Sequence, residues 1–230
     1  MTLLDARGLT RHFGGIKAVD GVDLAIPEGQ IRALIGPNGA GKTTLVSLLT
    51  GRVEADAGTV TFLGQDVTDL PAHKRIALGM GYTFQITSIF ANLGVRENVA
   101  LALQRVGGRA RVDDILATLG LSEYAGQIAG DLAYGHQRLL EIAMGVAQKP
   151  RLLILDEPTQ GLAAGEISDF IALVQKLSET TTILLIEHNM EVVMALATEI
   201  TVLERGRVIA EGPPAEIRAD RAVQEAYLGS

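Results

Sequence analysis

Cysteine and tryptophan are both missing from the 230 residues, and aromatic residues make up only 4% of them. Without cysteine there is no disulfide and no thiolate metal site, a composition that fits a reducing compartment. Positive charge is also in deficit: 20 Lys and Arg against 27 Asp and Glu leave a formal net charge of −7. An acidic surface repels phosphate backbones, so nucleic acid is not expected as a partner. Long apolar runs are lacking as well. None approaches the roughly 18–20 residues of a membrane helix. The opening Met1-Thr-Leu-Leu-Asp5 has neither the basic nor the apolar region of a signal peptide. Work at a membrane is then expected to use another protein's span. What the chain does have is a hydrophobic share of 47%, enough to bury a core as one domain or a domain with a lobe.

The apolar residues come in two patterns. Short continuous runs at Ile31–Ile35, Leu152–Leu155 and Thr181–Ile186 have the length and β-branching of buried strands. Thr59–Leu63 and Met80–Phe84 read as further strands. Helical spacing follows at Thr43–Leu49, Gly165–Glu179 and Asn189–Ala197. This alternation predicts an α/β fold. Residues 86–130 differ: Val95–Leu103 and Val112–Leu119 carry apolar residues at helical spacing, broken at Gly107-Gly108 and Gly120. They predict a helical lobe set into the α/β core. From Val202 onward a hairpin and a last helix near Arg221–Leu228 are expected.

Gly36-Pro37-Asn38-Gly39-Ala40-Gly41-Lys42-Thr43 fits the phosphate-loop pattern in full, between an expected strand and an expected helix. Its glycines let backbone N–H groups close on phosphate oxygens, and the helix that follows aims its positive end at the anion. Lys42 can reach the β- and γ-phosphates of a nucleotide, and the Thr43 hydroxyl can bind Mg²⁺. With Thr44, these residues are expected to hold ATP. Downstream, Leu152-Leu-Ile-Leu155 ends in Asp156-Glu157. A buried strand presents such acids at its carboxyl end, where open α/β sheets bind ligands. Asp156 suits a water-mediated contact to Mg²⁺, and Glu157 a base that polarises the attacking water.

Three more segments narrow the field beyond P-loop enzymes at large. Gln85 follows the strand Met80–Phe84; Leu132-Ala133-Tyr134-Gly135-His136 opens a helix before the acidic pair; His188 follows Ile183–Glu187. The order resembles the ATP-binding cassette (ABC) family, with Walker A, Q-loop, signature, Walker B and switch histidine along the whole chain. The resemblance implies a P-loop NTPase core (1–84 and 136–230) with an N-terminal antiparallel β portion, and a helical lobe (85–135) inserted into it and ending in the signature. It implies that Phe13 stacks on adenine and that Gln85 contacts Mg²⁺ or the water and senses a membrane subunit. It implies that Leu132–His136 face the γ-phosphate of ATP on a second subunit, and that His188 holds the γ-phosphate beside Glu157. Catalysis would then rest on Glu157, His188, Gln85 and Lys42, with Thr43, Gln85 and Asp156 around the metal. The implied partners are transmembrane permease subunits and a second ATP-binding subunit, with the chain peripheral on the cytoplasmic face of the cell membrane. His12 and His73 sit in no motif and read as surface residues.

Two departures stand out. The family signature usually reads Leu-Ser-Gly-Gly-Gln; here Ala133, Tyr134 and His136 replace its serine, a glycine and the glutamine. The later Gly161-Leu-Ala163 has Ala163 where the family has an aspartate. In a homodimer both ATP sites would inherit both deficits, so a heterodimer is expected. Finer features, Arg11-His-Phe13-Gly-Gly15, Thr83-Phe-Gln85, Leu185-Ile-Glu-His188 and Ala226-Tyr-Leu-Gly229, resemble the ATPases of branched-chain amino-acid importers and their urea or aromatic-acid relatives. The ending also resembles the ATPase of lipopolysaccharide export. A non-transport ABC ATPase would be expected to carry tandem cassettes or basic arms, and a P-loop kinase would need neither signature nor switch histidine.

Overall fold

The computed structural model describes residues 1–83, 88–104 and 112–228, with side chains to residue 226. Two sheets share the work. A four-stranded antiparallel sheet, order β2-β1-β4-β5, comprises β1 (Thr2–Phe13), β2 (Ile16–Pro27), β4 (Ala57–Phe62) and β5 (Gln65–Asp66). A six-stranded sheet, order β10-β9-β3-β8-β7-β6, comprises β3 (Ile31–Ile35), β6 (Met80–Thr83), β7 (Leu152–Asp156), β8 (Thr182–Ile186), β9 (Glu199–Glu204) and β10 (Arg207–Gly212). Its pairs are parallel except the β9–β10 hairpin.

Every residue of β3, β7 and β8 is buried, which is why their sequences are unbroken apolar runs rather than alternations. Thr182 and Asp156 stand only at strand ends, whereas Arg32 is a charge buried inside β3. Its guanidinium donates to Thr201 Oγ1 at 3.1 Å and the Ala25 carbonyl at 3.1 Å, and pairs with Glu211. A buried charge persists only with such partners.

Helices cover the parallel sheet: α1 (Lys42–Leu49), α2 (Ala72–Ala77), α3 (Val95–Leu103), α4 (Val112–Thr118), α5 (Tyr134–Ala147), α6 (Ala164–Ser178), α7 (Met190–Leu196), α8 (Pro214–Ala219) and α9 (Arg221–Leu228). One apolar core, with Leu45, Phe62 and Ile154 among its members, fills the space between the two sheets around α1. A second joins Val95, Val99 and Leu116 to Leu140, Leu153 and Leu185, so α3 and α4 are continuous with the core beneath β7 and β8. Gly107 and Gly108 lie outside the described residues. The short α2 was not legible in the sequence. Its Arg75 is buried and donates to the carbonyls of Leu48 at 2.8 Å and Leu49 at 2.7 Å, closing the C-terminal end of α1. Among the described residues no helix is long and apolar enough to cross a membrane.

Candidate functional site: a phosphate loop beside an acidic strand end

The loop between β3 and α1 is wedged between strands. Gly36 has φ +150°, and a Cβ there would fall 2.1 Å from the Leu203 carbonyl oxygen of β9. Gly41 has φ +103°, and its Cβ would fall 2.1 Å from the Ala18 carbonyl oxygen of β2. Backbone fills both places, so only glycine fits. The Gly206 N–H fixes the loop from outside by donating to the Ala40 carbonyl at 2.8 Å. Asn38, Gly39 and Thr43 are exposed, while Pro37 and Thr44 are half-buried.

Lys42 is the first residue of α1 and only 8% exposed. Its Nζ donates back across the loop to the Gly36 carbonyl at 2.6 Å and the Pro37 carbonyl at 3.2 Å. Burial lowers its pKa, and the carboxylates of Glu157 and Asp156 oppose that shift. The motifs at 36–43 and 156–157, more than a hundred residues apart, thus share one electrostatic site. The first N–H groups of α1, without carbonyl partners in their own helix, face the same loop.

Asp156 ends β7 and is 3% exposed. The Tyr82 hydroxyl of the neighbouring β6 donates to its Oδ2 at 2.6 Å. Burial raises the Asp156 pKa and Glu157 adds to the rise, against the Tyr82 hydrogen bond and the charges of Arg52 and Arg138. The Tyr82 phenol is likewise pushed up, by burial first and by Asp156 second. The Arg52 guanidinium lies 4.0 Å from the Tyr82 ring centroid. The chain leaves the sheet at Glu157, which has φ +46°. A non-glycine residue in this region is strained, and such strain collects at functional sites. Its N–H donates to the Ile186 carbonyl at 2.9 Å, pinning the turn to β8.

His188 follows β8 with a side chain 59% exposed. Before it, Glu187 is fully buried. Its carboxylate accepts from the backbone N–H groups of Thr159 at 3.0 Å, His188 at 2.9 Å and Asn189 at 3.0 Å, and from the Thr159 hydroxyl.

Where the chain enters α5, Leu132 and Gly135 are buried, His136 is half-buried, and Ala133 and Tyr134 are exposed. The Tyr134 ring lies over Gly161, where a Cβ would come 2.9 Å from its Cε1. His136 packs on Tyr124 with ring centroids 4.2 Å apart. Arg138, buried one turn further along, donates to Glu141 Oε2 at 2.6 Å and to the Asp156 carbonyl at 2.5 Å. The signature helix is thereby tied to the acidic strand end. Phe13, at the end of β1, is 46% exposed with the Arg11 guanidinium 4.9 Å from its ring centroid, so it is not a core residue. His73 is exposed, whereas His12 is half-buried with Nε2 3.7 Å from Asp20. Gln85 lies outside the described residues. Sequence reasoning missed Tyr82, Arg138, Glu187 and Thr159. The one signal was charge or hydroxyl inside otherwise apolar segments flanking the motifs. Cavity size is no guide here: the cavity at Pro37–Ala40 measures about 340 Å³, smaller than the one of about 430 Å³ beside His136 and Glu166.

Residues 19–160 match the family model described as ABC transporter, and residues 207–230 match that described as Branched-chain amino acid ATP-binding cassette transporter. The chain is 39% identical to the high-affinity branched-chain amino acid transport ATP-binding protein BraF of Pseudomonas aeruginosa, over 99% of this chain and 98% of that one. It is 38% identical to LivG of Escherichia coli K12, described in the same words, with the same coverage. The crystal structure of the ADP conformation of MJ1267, an ATP-binding cassette of an ABC transporter, superposes with a TM-score of 0.91 at 30% identity and 100% coverage of both chains. Phosphate loop, acidic strand end, fold and relatives agree: this chain belongs to the ABC transporter family, as an ATP-binding and ATP-hydrolysing subunit.

Proposed function

We propose that this subunit energises import of branched-chain amino acids or a related small solute through separate transmembrane permease subunits, from the inner face of the membrane. Support comes from its similarity to proteins named for that transport and from the match of residues 207–230. Uptake of labelled leucine, isoleucine and valine by cells carrying or lacking the chain tests the solute.

The observation that carries the chemistry is the shared electrostatic site of Lys42, Asp156 and Glu157. ATP lies along the loop at Gly36–Thr44, and Lys42 exchanges the Gly36 and Pro37 carbonyls for β- and γ-phosphate oxygens. The oxygen donors suit Mg²⁺: a buried carboxylate whose pKa is raised by burial gains from a nearby cation, and an exposed hydroxyl stands at Thr43. Thr43, Gln85 and Asp156, the last through water, would hold the ion. When bound, Mg²⁺ neutralises charge on the β- and γ-phosphates. Glu157 takes a proton from the attacking water, and His188 holds the γ-phosphate in line beside it. Water adds to the γ-phosphorus as the bond to ADP breaks, and catalysis comes from positioning and charge stabilisation. Phe13, open at the hairpin end, stacks on adenine.

Residues 85–135 form the lobe that meets the permease, and 1–84 with 136–230 form the nucleotide core. Ile89 packs half-buried on the apolar core beneath it, whereas Phe90 is 54% exposed. Buried Asn98 clamps that loop, accepting from the Phe90 N–H at 2.8 Å and donating to the Gly94 carbonyl at 3.0 Å, so Phe90 is the residue offered for docking. The signature Leu132–His136 completes an ATP site on a second, related ATPase in a heterodimer.

The deciding experiment is Glu157→Gln. The amide keeps shape and loses basicity, so ATP binding is retained while turnover falls about 10²–10⁴-fold. Near wild-type turnover in the assembled transporter would overturn the role of Glu157.

A further inference from the structure

One buried polar group near the site has no part in the reaction. Glu187 is fully buried, and its two oxygens divide their work between two loops. Oε1 accepts both the N–H and the hydroxyl of Thr159, two residues past Glu157. Oε2 accepts the N–H groups of His188 and Asn189. All four partners donate, so the group must be an acceptor on every side, which a carboxylate is and an amide is not. Asn189 in turn accepts from the Glu191 N–H at 3.0 Å and caps α7. One strand position back, the Glu157 N–H bonds the Ile186 carbonyl.

We propose that Glu187 is a positioning residue for ATP hydrolysis: its carboxylate staples the Thr159 loop to the His188 loop and so sets the separation of Glu157 from His188. The proposal rests on the reading that Glu157 and His188 act on the water and the γ-phosphate. Both stand on short turns, Glu157 in the left-handed region and His188 with an exposed side chain. The buried anion joins the two turns directly, beside the Glu157 N–H bond to the Ile186 carbonyl, and so supplies a common reference for both. Small misplacements of reacting groups cost large factors in rate.

The test compares Glu187→Gln, Thr159→Val and Thr159→Ser with wild type and Glu157→Gln in the assembled transporter, measuring kcat and KM for ATP, nucleotide affinity and Tm. In Glu187→Gln the amide NH₂ must face donors on one side, breaking one half of the staple. The kcat is expected to fall roughly 10- to 100-fold with KM and ATP affinity within about threefold of wild type. Thr159→Val loses one of the four bonds and falls less, Thr159→Ser restores the hydroxyl and the rate, and Glu187→Gln with Thr159→Val is no slower than Glu187→Gln alone. If Glu187→Gln lowers Tm but keeps kcat per folded, ATP-binding molecule, the carboxylate only stabilises the fold and the proposal is overturned. Should Glu187→Gln fail to fold, equal kcat in Thr159→Val and Thr159→Ser overturns it instead. Full turnover by Glu157→Gln would sink the underlying reading, whereas an inactive Glu157→Gln beside fully active Glu187→Gln and Thr159→Val sinks this proposal alone.

Discussion

The phosphate loop and the signature segment differ in how much of each the chain itself encloses. The loop is clamped by β2 and β9 and roofed by Lys42, whose ammonium the Glu157 and Asp156 carboxylates favour. The signature has its anchors buried, Leu132 below and Gly135 against Glu166, while Ala133 and Tyr134 are open. A phosphate site is built mainly from backbone N–H groups, and backbone is fixed by packing, so one chain can complete it. Arg138 joins the two halves by donating to the Asp156 carbonyl.

Lys42→Ala should break the enclosed half most. It removes a charge from the β- and γ-phosphates, and ATP affinity by calorimetry should fall by about 3 kcal/mol or more; unchanged affinity would mean that the loop's backbone suffices alone. Phe13→Ala comes next. The exposed ring lies outside the core, so ATP affinity should weaken by roughly 1–3 kcal/mol with little change in Tm. On the nucleotide-free protein the effect of Asp156→Asn is the smallest, and of opposite sign. Burial raises the Asp156 pKa, so the folded state holds a proton more tightly than the unfolded chain. Stability from this group is therefore greatest below the unfolded carboxylate pKa and is lost as pH rises through the raised folded value. At neutral pH the nucleotide-free Asn variant should have the higher Tm, the gain vanishing in acid, while hydrolysis is lost. A lower Tm at neutral pH would show that Lys42 and Tyr82 already offset the buried charge.

The enclosed half was also the legible half. Gly36–Thr43, the apolar run into Asp156, and most strands and helices were readable because each is a local pattern of a few residues. The N-terminal sheet was expected only as an antiparallel portion, since the register of β1 with β2 is set by pairing across many residues. The side-chain clamps were not readable at all. Tyr82 reaches Asp156 across 74 positions, Glu187 reaches Thr159 across 28, and Arg138 reaches the Asp156 carbonyl across 18. Only the fold brings such pairs together, and nothing in either segment names its partner. Phe13 illustrates the reverse: an aromatic at that place in the sequence could stack or pack, and its exposure at the hairpin end removed the second option.

The open half carries the central proposal: that this chain completes its own phosphate site but offers a weakened signature face to another subunit's ATP. Ala133 lacks a hydroxyl. Ala163 stands as N-cap of α6 without a capping side chain, although its N–H donates to Glu166 at 2.8 Å. A missing hydrogen bond to a charged phosphate is worth about 1.5–3 kcal/mol, or roughly ten- to a hundred-fold in rate. The direct test is ATP turnover by transporter assembled with this chain as its only ATPase, wild type against the pair Ala133→Ser with Ala163→Asp. Turnover should rise roughly ten- to a hundred-fold in the double variant, because each copy then completes the other's site. Equal turnover by the two would contradict the account and leave a fully competent homodimer.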